Sequence, residues 1–224
     1  MKINIGAGKF KKSPGVPEMI YYLIPARRGS KGWPGKNRVL FKYTAETLTD
    51  KEAVVVSTDD PIIFGKALER NFITIDRPEN LAGDKADIIG VLKNAAEEMG
   101  MKKEDTIVLL YLVHPTRTRD DIGNALKYFN KEKAKSLVCR YKADPNPYEC
   151  IDENGKQLIP HGYYRRQDFP VCYKFVHFVA IYKVFEINNL NKLAFNENTT
   201  WLDIDEPVDI DYEKDFNLMK EKIL

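Results

Sequence analysis

The stretch YYLIPARRGSKGWPGKN, from Tyr21 to Asn37, passes from an apolar run directly into a basic, glycine-rich loop. The run from Tyr21 to Ala26 predicts a short buried strand. After it come three glycines and the basic side chains Arg27, Arg28, Lys31 and Lys36. Glycines let backbone N–H groups turn toward a ligand, and basic side chains neutralise phosphate oxygens. The pattern therefore predicts an anion-binding loop. A solvated basic loop is the alternative, but it rarely carries so many glycines straight after a strand.

The loop differs from the phosphate loop of GxxxxGK[ST] type, because no Ser or Thr follows Lys36. Further along the chain, strand-like and helix-like runs alternate. Predicted strands are Ala53 to Ser57, Phe72 to Ile75, Thr106 to Val113, Ser136 to Arg140 and Val179 to Val184. Apolar residues at helical spacing lie between these strands and predict helices. One predicted helix follows a Thr118–Asp121 cap, and another runs from Val208 to Ile223 at the C-terminus. This alternation predicts an α/β fold with a doubly wound, mostly parallel sheet whose ligand lies at the carboxyl ends of the strands.

The composition narrows the class of protein. The 224 residues suit one large α/β domain, and a net charge of +2 from 35 basic and 33 acidic side chains gives no drive toward nucleic acid or membrane. The three cysteines, Cys139, Cys150 and Cys172, are odd in number and lack CxxC spacing, which favours reduced thiols. No apolar run has membrane length and no signal peptide is evident, so a cytoplasmic location is expected.

Two segments depart from the strand–helix rhythm. Residues 1–20 are interpreted as an N-terminal extension that precedes a main domain of residues 21–224. Residues 141–173 are rich in Pro, Tyr, Asn and charge, with a predicted turn at Asp152-Glu153-Asn154-Gly155. We interpret them as an excursion from the sheet and not as a separate domain.

Two aspartates and one histidine are the candidate metal-binding and ligand-contacting residues. Trp201-Leu202-Asp203-Ile204-Asp205 places Asp203 and Asp205 on one side of an extended segment, where two carboxylates could hold Mg²⁺. The alternative is that one of them caps a helix starting near Pro207. The three histidines have no metal-ligand spacing, and only His114 follows the central strand closely enough to contact a ligand.

The order of these motifs resembles the CMP-sialic acid synthetase family, which includes the synthetases of related nonulosonic acids. The similarity runs from about Tyr21 to the C-terminus. The matching segments are Ala26 to Asn37, Ser57-Thr58-Asp59, Arg77-Pro78 with Leu81-Ala82 and Asp84, His114-Pro115-Thr116-Arg117-Thr118, Arg166-Gln167-Asp168 and Asp203-Ile204-Asp205.

The resemblance implies a Rossmann-like nucleotidyltransferase fold and a homodimer joined through the 141–173 excursion. It implies an enzyme that joins CMP from CTP to a 2-keto sugar acid of sialic, pseudaminic or legionaminic type with Mg²⁺, and no nucleic-acid or membrane partner. Catalytic roles fall to Arg27, Lys31 and Lys36. Nucleotide contacts fall to Ala26, Arg27, Gly29, Ser30, Asn37, Arg77, Ala86 and Tyr111. Sugar contacts fall to His114, Arg117, Arg166, Gln167 and Phe178, and metal binding to Asp203 and Asp205.

Three departures from the family pattern leave alternatives open. The segment of residues 37–57 is several residues shorter than is usual in the family. Tyr111 stands where the family often has Gln, and the sequence around His177 and Phe178 contains extra residues. A nucleotidyltransferase of the same fold with another acceptor is one alternative. A catalytically weak nucleotide-binding module is the other.

Overall fold

The computed structural model describes residues 18–83 and 86–223. Most of the predicted extension, and Asp84 of the predicted nucleotide loop, lie outside them. Within the described residues the strands are β1 (Ile20–Pro25), β2 (Ala53–Thr58), β3 (Ile73–Asp76), β4 (Thr106–Leu109), β5 (Ser136–Lys142), β6 (Tyr173–Lys183) and β7 (Thr200–Asp203). The helices are α1 (Lys36–Glu46), α2 (Pro61–Glu69), α3 (Glu79–Ala82), α4 (Ile88–Glu98), α5 (Arg119–Lys131) and α6 (Glu213–Ile223).

The strands form one sheet in the order β3-β2-β1-β4-β6-β5-β7. Strand β6 runs antiparallel to β4 and β5, whereas the other pairs are parallel. The predicted mostly parallel α/β sheet is therefore confirmed. Because the parallel strands share one direction, their carboxyl ends meet at one edge of the sheet, where α/β folds bind ligands.

Two apolar cores cover the two faces of this sheet. Alternation along β1 sends Ile24 into the core beneath α1, α2, α5 and α6, and Leu23 into the core beneath α4. Both side chains are fully buried. The predicted cap of α5 is confirmed as a capping box between Thr118 and Asp121. Among the described residues no helix is both long and apolar enough to cross a membrane.

A bulge interrupts β6 at residues 177–179. Ala180 pairs with Val138, but the next pair joins Cys139 to Val176, so three residues leave the ladder. The strand predicted to continue to Val113 ends at Leu109, where the pairing between β4 and β6 stops. The extra residues noticed in the sequence around Phe178 are thus accommodated as a bulge at the carboxyl edge of the sheet.

The excursion is slightly shorter than predicted, because β5 extends to Lys142 and β6 begins at Tyr173. Its predicted turn is confirmed, since Asp152 Oδ1 accepts hydrogen bonds from the backbone N–H groups of Asn154 and Lys156. A cluster of four rings packs inside the excursion, formed by Tyr148, His161, Tyr163 and Phe169.

The prediction of a helix that starts near Pro207 is wrong. Helix α6 begins at Glu213, and the segment before it is hydrogen-bonded to the loop that follows β4. The backbone N–H of Ile210 donates to the carbonyl of Val113, and the ring of His114 contacts the carbonyl of Val208. These contacts hold residues 208–210 outside any helix, although the apolar spacing from Val208 to Tyr212 is helical.

Candidate active site

A cavity of about 270 Å³ lies at the carboxyl ends of β1 and β4. Of the residues predicted to contact a nucleotide, all but Ala26 line it, and Lys36 lines it with them. These lining residues are Arg27, Gly29, Ser30, Lys36, Asn37, Arg77, Ala86 and Tyr111. The structure therefore brings together segments that the sequence separates by up to 84 positions, counted from Arg27 to Tyr111.

The end of β2 holds the start of the basic loop. The buried Ala26 receives a 2.6 Å hydrogen bond on its carbonyl from Thr58 Oγ1. Asp59 then accepts a 2.6 Å hydrogen bond from the backbone N–H of Arg28. The Ser57-Thr58-Asp59 segment thus supports the start of the loop.

The middle of the loop packs against the C-terminal segment. A Cβ on Gly32 would lie 2.6 Å from the carbonyl oxygen of Asp211, so only glycine allows this approach. Gly35 has φ of 76° and precedes α1 in the left-handed conformation. The side-chain amide of Asn37 donates to the carbonyl of Arg27 at 2.8 Å, which closes the loop upon itself.

The two catalytic lysine candidates have different environments. Lys36 is buried, and its Nζ lies 2.8 Å from the carbonyl oxygen of Ile210 and 3.3 Å from Asp211 Oδ1. Lys31 lies on the exposed part of the loop and does not line the cavity. Lys36 therefore has a structural contact as well as a place at the cavity wall.

Arg77 and Tyr111 form part of the cavity wall. Arg77 Nε donates to the carbonyl of Leu81 at 2.8 Å, which orients the guanidinium. Burial lowers the pKa of Arg77, and the nearby Asp59 carboxylate opposes this shift. Burial also raises the pKa of the Tyr111 hydroxyl, so it stays protonated. The wall therefore offers one cation and one neutral hydroxyl to a ligand.

His114 and Arg117 do not line this cavity. Both are buried, and burial lowers the pKa of His114 to about 4. The His114 Nδ1 atom lies 3.0 Å from the carbonyl oxygen of Val208. Because a carbonyl only accepts, that nitrogen carries the proton of the neutral ring. His114 therefore holds the C-terminal segment against the loop that follows β4.

Arg117 is surrounded by protein acceptors. Its Nη1 donates to the carbonyl of Phe178 at 2.7 Å, and its Nη2 donates to Thr44 Oγ1 and to the carbonyl of Tyr111, both at 2.9 Å. Burial disfavours the charged form and lowers its pKa. These contacts tie α1, the loop after β4 and the β6 bulge together, which differs from the sugar contact predicted for this residue.

The remaining predicted sugar contacts lie apart from the first cavity. Arg166 and Gln167 line a second cavity of about 470 Å³ within the excursion. Phe178 belongs to the β6 bulge, and its ring centroid lies 5.6 Å from that of His114. Within the described part of the chain these three residues are therefore not gathered into one site.

The predicted metal pair, Asp203 and Asp205, lies at or just after the end of β7. Asp203 Oδ1 accepts a 2.6 Å hydrogen bond from Arg140 Nε. Strand β7 is the outermost strand, four positions from β1, or roughly 19 Å at ordinary strand spacing. Asp203 and the exposed Asp205 consequently do not face the basic loop.

A second Asp-Ile-Asp triplet, at Asp209-Ile210-Asp211, does face it. Asp211 contacts Lys36, and its backbone carbonyl packs on Gly32. Burial raises the pKa of Asp209, and the negative charge of Asp211 raises it further. The signal that could have revealed this pair is the repetition of the triplet six residues later.

Among the described residues, no group of three or more His, Cys, Asp or Glu side chains could hold a metal ion by itself. Two carboxylates beside the predicted phosphate-binding loop are nevertheless sufficient to bind Mg²⁺, because this ion is usually held by one or two carboxylates together with substrate phosphates and water. The donor set at Asp209 and Asp211 therefore fits that ion.

The doubly wound sheet and the basic loop after β1 define a nucleotidyltransferase-type fold. A solved structure of CMP:2-keto-3-deoxy-manno-octonic acid synthetase complexed with CTP superposes with a TM-score of 0.65 at 15% identity, covering 92% of this chain and 98% of that one. The 4-diphosphocytidyl-2C-methyl-D-erythritol synthase of Anaerococcus prevotii superposes with a TM-score of 0.59 at 10% identity. At such identities the likeness establishes the fold alone.

Sequence similarity narrows the class further. Post-translational flagellin modification protein B of Campylobacter coli is 30% identical over 92% of this chain and 86% of its own length. CMP-N,N'-diacetyllegionaminic acid synthase of Legionella pneumophila is 28% identical over 90% of this chain and 95% of its own. The chain belongs to the CMP-sialic acid synthetase family.

Some relatives are considerably longer than the matched region. N-acylneuraminate cytidylyltransferase of Streptococcus agalactiae serotype V is 28% identical over 67% of this chain, which corresponds to 40% of that protein. No protein-family model matches the chain.

Proposed function

We propose that the protein transfers CMP from CTP to a hydroxyl of a 2-keto sugar acid of the sialic, pseudaminic or legionaminic type. The observation that carries the proposal is the cavity at the carboxyl ends of β1 and β4, walled by the basic loop and by Arg77. The names of the relatives from Streptococcus agalactiae and Legionella pneumophila support the cytidylyl group and the sugar-acid acceptor.

The proposed reaction requires the protein to position CTP and the acceptor and to stabilise charge, and it needs no covalent intermediate with a side chain. The acceptor oxygen forms a bond to the α-phosphorus of CTP, the bond to the bridging oxygen breaks, and pyrophosphate leaves with its electron pair. The acceptor hydroxyl loses its proton to solvent or to a base that we do not assign. Arg27, Lys36 and the loop N–H groups would stabilise the charge on the phosphate oxygens. Lys31, on the exposed side of the same loop, would reach the outer phosphates as a flexible point charge.

We assign the magnesium site to Asp209 and Asp211 instead of Asp203 and Asp205. Their oxygens lie on the segment that contacts Lys36 and Gly32, next to the phosphate side of the cavity. A bound Mg²⁺ would supply neutralisation of phosphate charge. The raised pKa of Asp209 supports the assignment, because partial burial and the neighbouring Asp211 carboxylate both disfavour its negative charge, and a divalent cation would offset that repulsion.

We further propose a homodimer in which a second copy of the chain covers the excursion. The excursion carries exposed apolar side chains whose exposure ranges from 60% to 96%, namely Ile151, Leu158, Tyr164 and Val171. Apolar and aromatic side chains of this kind are typical of interface cores. Light scattering at micromolar concentration should give twice the mass of the chain, and a monomer would contradict the proposal.

A reducing compartment such as the cytoplasm would suit the three free cysteines.

Pyrophosphate release tests the proposed reaction. Wild-type protein should release pyrophosphate from CTP and Mg²⁺ only when a sialic, pseudaminic, legionaminic or Kdo-type acid is present. CTP should exceed ATP, GTP and UTP in turnover, and equal turnover with a purine nucleotide would contradict the cytidylyl assignment. The matched control is Arg119→Gln on the surface of α5, where Arg119 pairs with Glu52 away from the cavity.

A second candidate is the same cytidylyl transfer to an acceptor outside these acids. The β6 bulge at residues 177–179 favours it, because it places three extra residues beside Tyr111 at the cavity edge. The acid panel separates the candidates, since turnover limited to an alditol phosphate or a phosphonate would support the second.

A further inference from the structure

The guanidinium of Arg140 occupies an unusual setting near the carboxyl end of β5. Its Nε donates to Asp203 Oδ1 at 2.6 Å, and its central carbon lies 4.1 Å from the centroid of the Tyr173 ring and 5.9 Å from that of Trp201. The side chain is 31% exposed. A carboxylate on one edge and an aromatic ring on its face therefore fix the plane of this cation.

Hydrogen bonds in the described residues engage the guanidinium of Arg140 through Nε alone. The two Nη groups are thus available to an outside acceptor. The planar fork of arginine matches the two oxygens of a carboxylate in a bidentate pair. A guanidinium held flat by its neighbours loses little further freedom when such a ligand binds.

Arg140 contacts Trp201, which packs against the same apolar core as Tyr111 of the first cavity. Rings connect the two places, since Tyr111 at the cavity wall contacts His177 and His177 contacts Phe175, with ring centroids 5.6 Å and 5.8 Å apart. Phe175 is the β6 residue paired with Arg140. Strand β5 lies two positions from β4, or roughly 10 Å. A sugar acid spans a comparable length.

We propose that Arg140 binds the carboxylate of the acceptor acid, with Asp203 as the residue that positions its guanidinium. The inference rests on the proposed function and deepens it, since it names the group that selects an acid over a neutral sugar. The acceptor would lie across the carboxyl end of β5 and the neighbouring amino end of β6, with its hydroxyl toward the first cavity. The Arg140–Asp203 pair then explains why the first Asp-Ile-Asp triplet lies away from the phosphate loop.

The test compares Arg140→Gln, Arg140→Lys and the surface control Arg119→Gln with the wild type. Steady-state kinetics are measured with CTP, with the acid that the wild type uses best, and with the carboxamide of that acid. Arg140→Gln should raise KM for the acid about 10- to 100-fold, as expected for lost charge-assisted hydrogen bonds. KM for CTP and turnover of the carboxamide should match the wild type. Arg140→Lys keeps the charge without the fork and should fall between the two.

Asp203→Asn separates ligand binding from a purely structural link between β5 and β7. If Arg140 only joins the strands, Asp203→Asn and Arg140→Gln will change KM and melting temperature equally. The proposal expects a smaller rise in acid KM for Asp203→Asn, because the cation remains. An unchanged acid KM in Arg140→Gln overturns the inference while leaving the proposed function intact. Absence of turnover by the wild type with every acid removes both.

Discussion

The ammonium group of Lys36 donates a 2.8 Å hydrogen bond to the carbonyl oxygen of Ile210, across 174 positions of sequence. Lys36 opens α1 directly after the basic loop, and Ile210 lies between the carboxylates of Asp209 and Asp211. The contact therefore joins the predicted phosphate-binding element to the segment assigned to the metal. The geometry of the basic loop therefore depends on the position of the segment that carries Asp209 and Asp211.

Lys36→Met should reduce both activity and stability. The variant leaves the buried carbonyl of Ile210 without a donor, which costs about 1 to 3 kcal/mol of unfolding free energy. Lys31→Ala is the matched comparison, because Lys31 is exposed on the same loop. It should lower turnover with CTP while changing stability by less than about 0.5 kcal/mol. Urea unfolding beside pyrophosphate release measures both effects, and equal stability of the two variants would show that the Lys36 contact contributes nothing.

Asp209→Asn should raise the melting temperature at neutral pH and lower the apparent affinity for Mg²⁺. The pKa of Asp209 in the folded protein lies above its ordinary value, so folding favours the protonated form. Its favourable contribution to stability is therefore present below the ordinary carboxyl pKa and is lost as pH rises through the raised one. Asn imitates the protonated form, and the gain should disappear below about pH 4.

Magnesium titration of turnover completes this experiment, with Asp205→Asn as the control for an exposed aspartate in the other triplet. Asp209→Asn should need more Mg²⁺ for half-maximal turnover, whereas Asp205→Asn should titrate like the wild type. The reverse result would return the metal site to the first triplet.

Local patterns were enough to predict β1, β2, β3 and β5, the capping box of α5 and the loop after β1, because each depends on residues close in sequence. They did not predict the end of β4 at Leu109 or the start of β6 at Tyr173, since both depend on pairing between distant strands. The choice between two identical Asp-Ile-Asp triplets was not local. It depends on Lys36, 174 positions before Ile210, and on Arg140, which lies 63 positions before Asp203. The prediction of a helix near Pro207 was wrong for the same reason, since Val208 and Ile210 bond to His114 and Val113 on a distant part of the chain.

Stability should fall as the pH decreases from about 6.5 toward 4, and His114 should account for part of this loss. Burial lowers the pKa of His114 in the folded protein from 6.5 to about 4, so the unfolded chain binds the proton more readily in this window. The neutral ring stabilises the fold above the ordinary pKa, and that contribution is lost on acidification.

His114→Asn tests this assignment, because the amide nitrogen can still donate to the carbonyl of Val208 but does not titrate. The variant should show a flatter dependence of unfolding free energy on pH than the wild type. His177 has its pKa lowered to about 4 by burial as well, so its own Asn variant should remove a separate share. Parallel pH profiles for wild type and His114→Asn would contradict the role given to His114.

Arg117→Lys should destabilise the protein although it preserves the charge. Arg117 supplies donors in a fixed fork to the carbonyls of Phe178 and Tyr111 and to Thr44 Oγ1, and a lysine ammonium cannot reach all three. Buried acceptors left without a donor cost about 1 to 3 kcal/mol each, so a total loss of about 2 to 4 kcal/mol is expected. Because Phe178 belongs to the β6 bulge, KM for the acceptor acid should rise more than KM for CTP.

Cys139→Ser is the matched control for this experiment. Cys139 Sγ donates to the carbonyl of Val179 at 3.2 Å on the same bulge, and serine keeps a donor at that position. This variant should retain the bulge and lose less stability than Arg117→Lys. Urea unfolding and steady-state kinetics of the two variants measure the difference. If Arg117→Lys unfolds at the same urea concentration as the wild type and only acid binding is impaired, then Arg117 contacts the acceptor as the sequence predicted, and its buried network is not what holds the site.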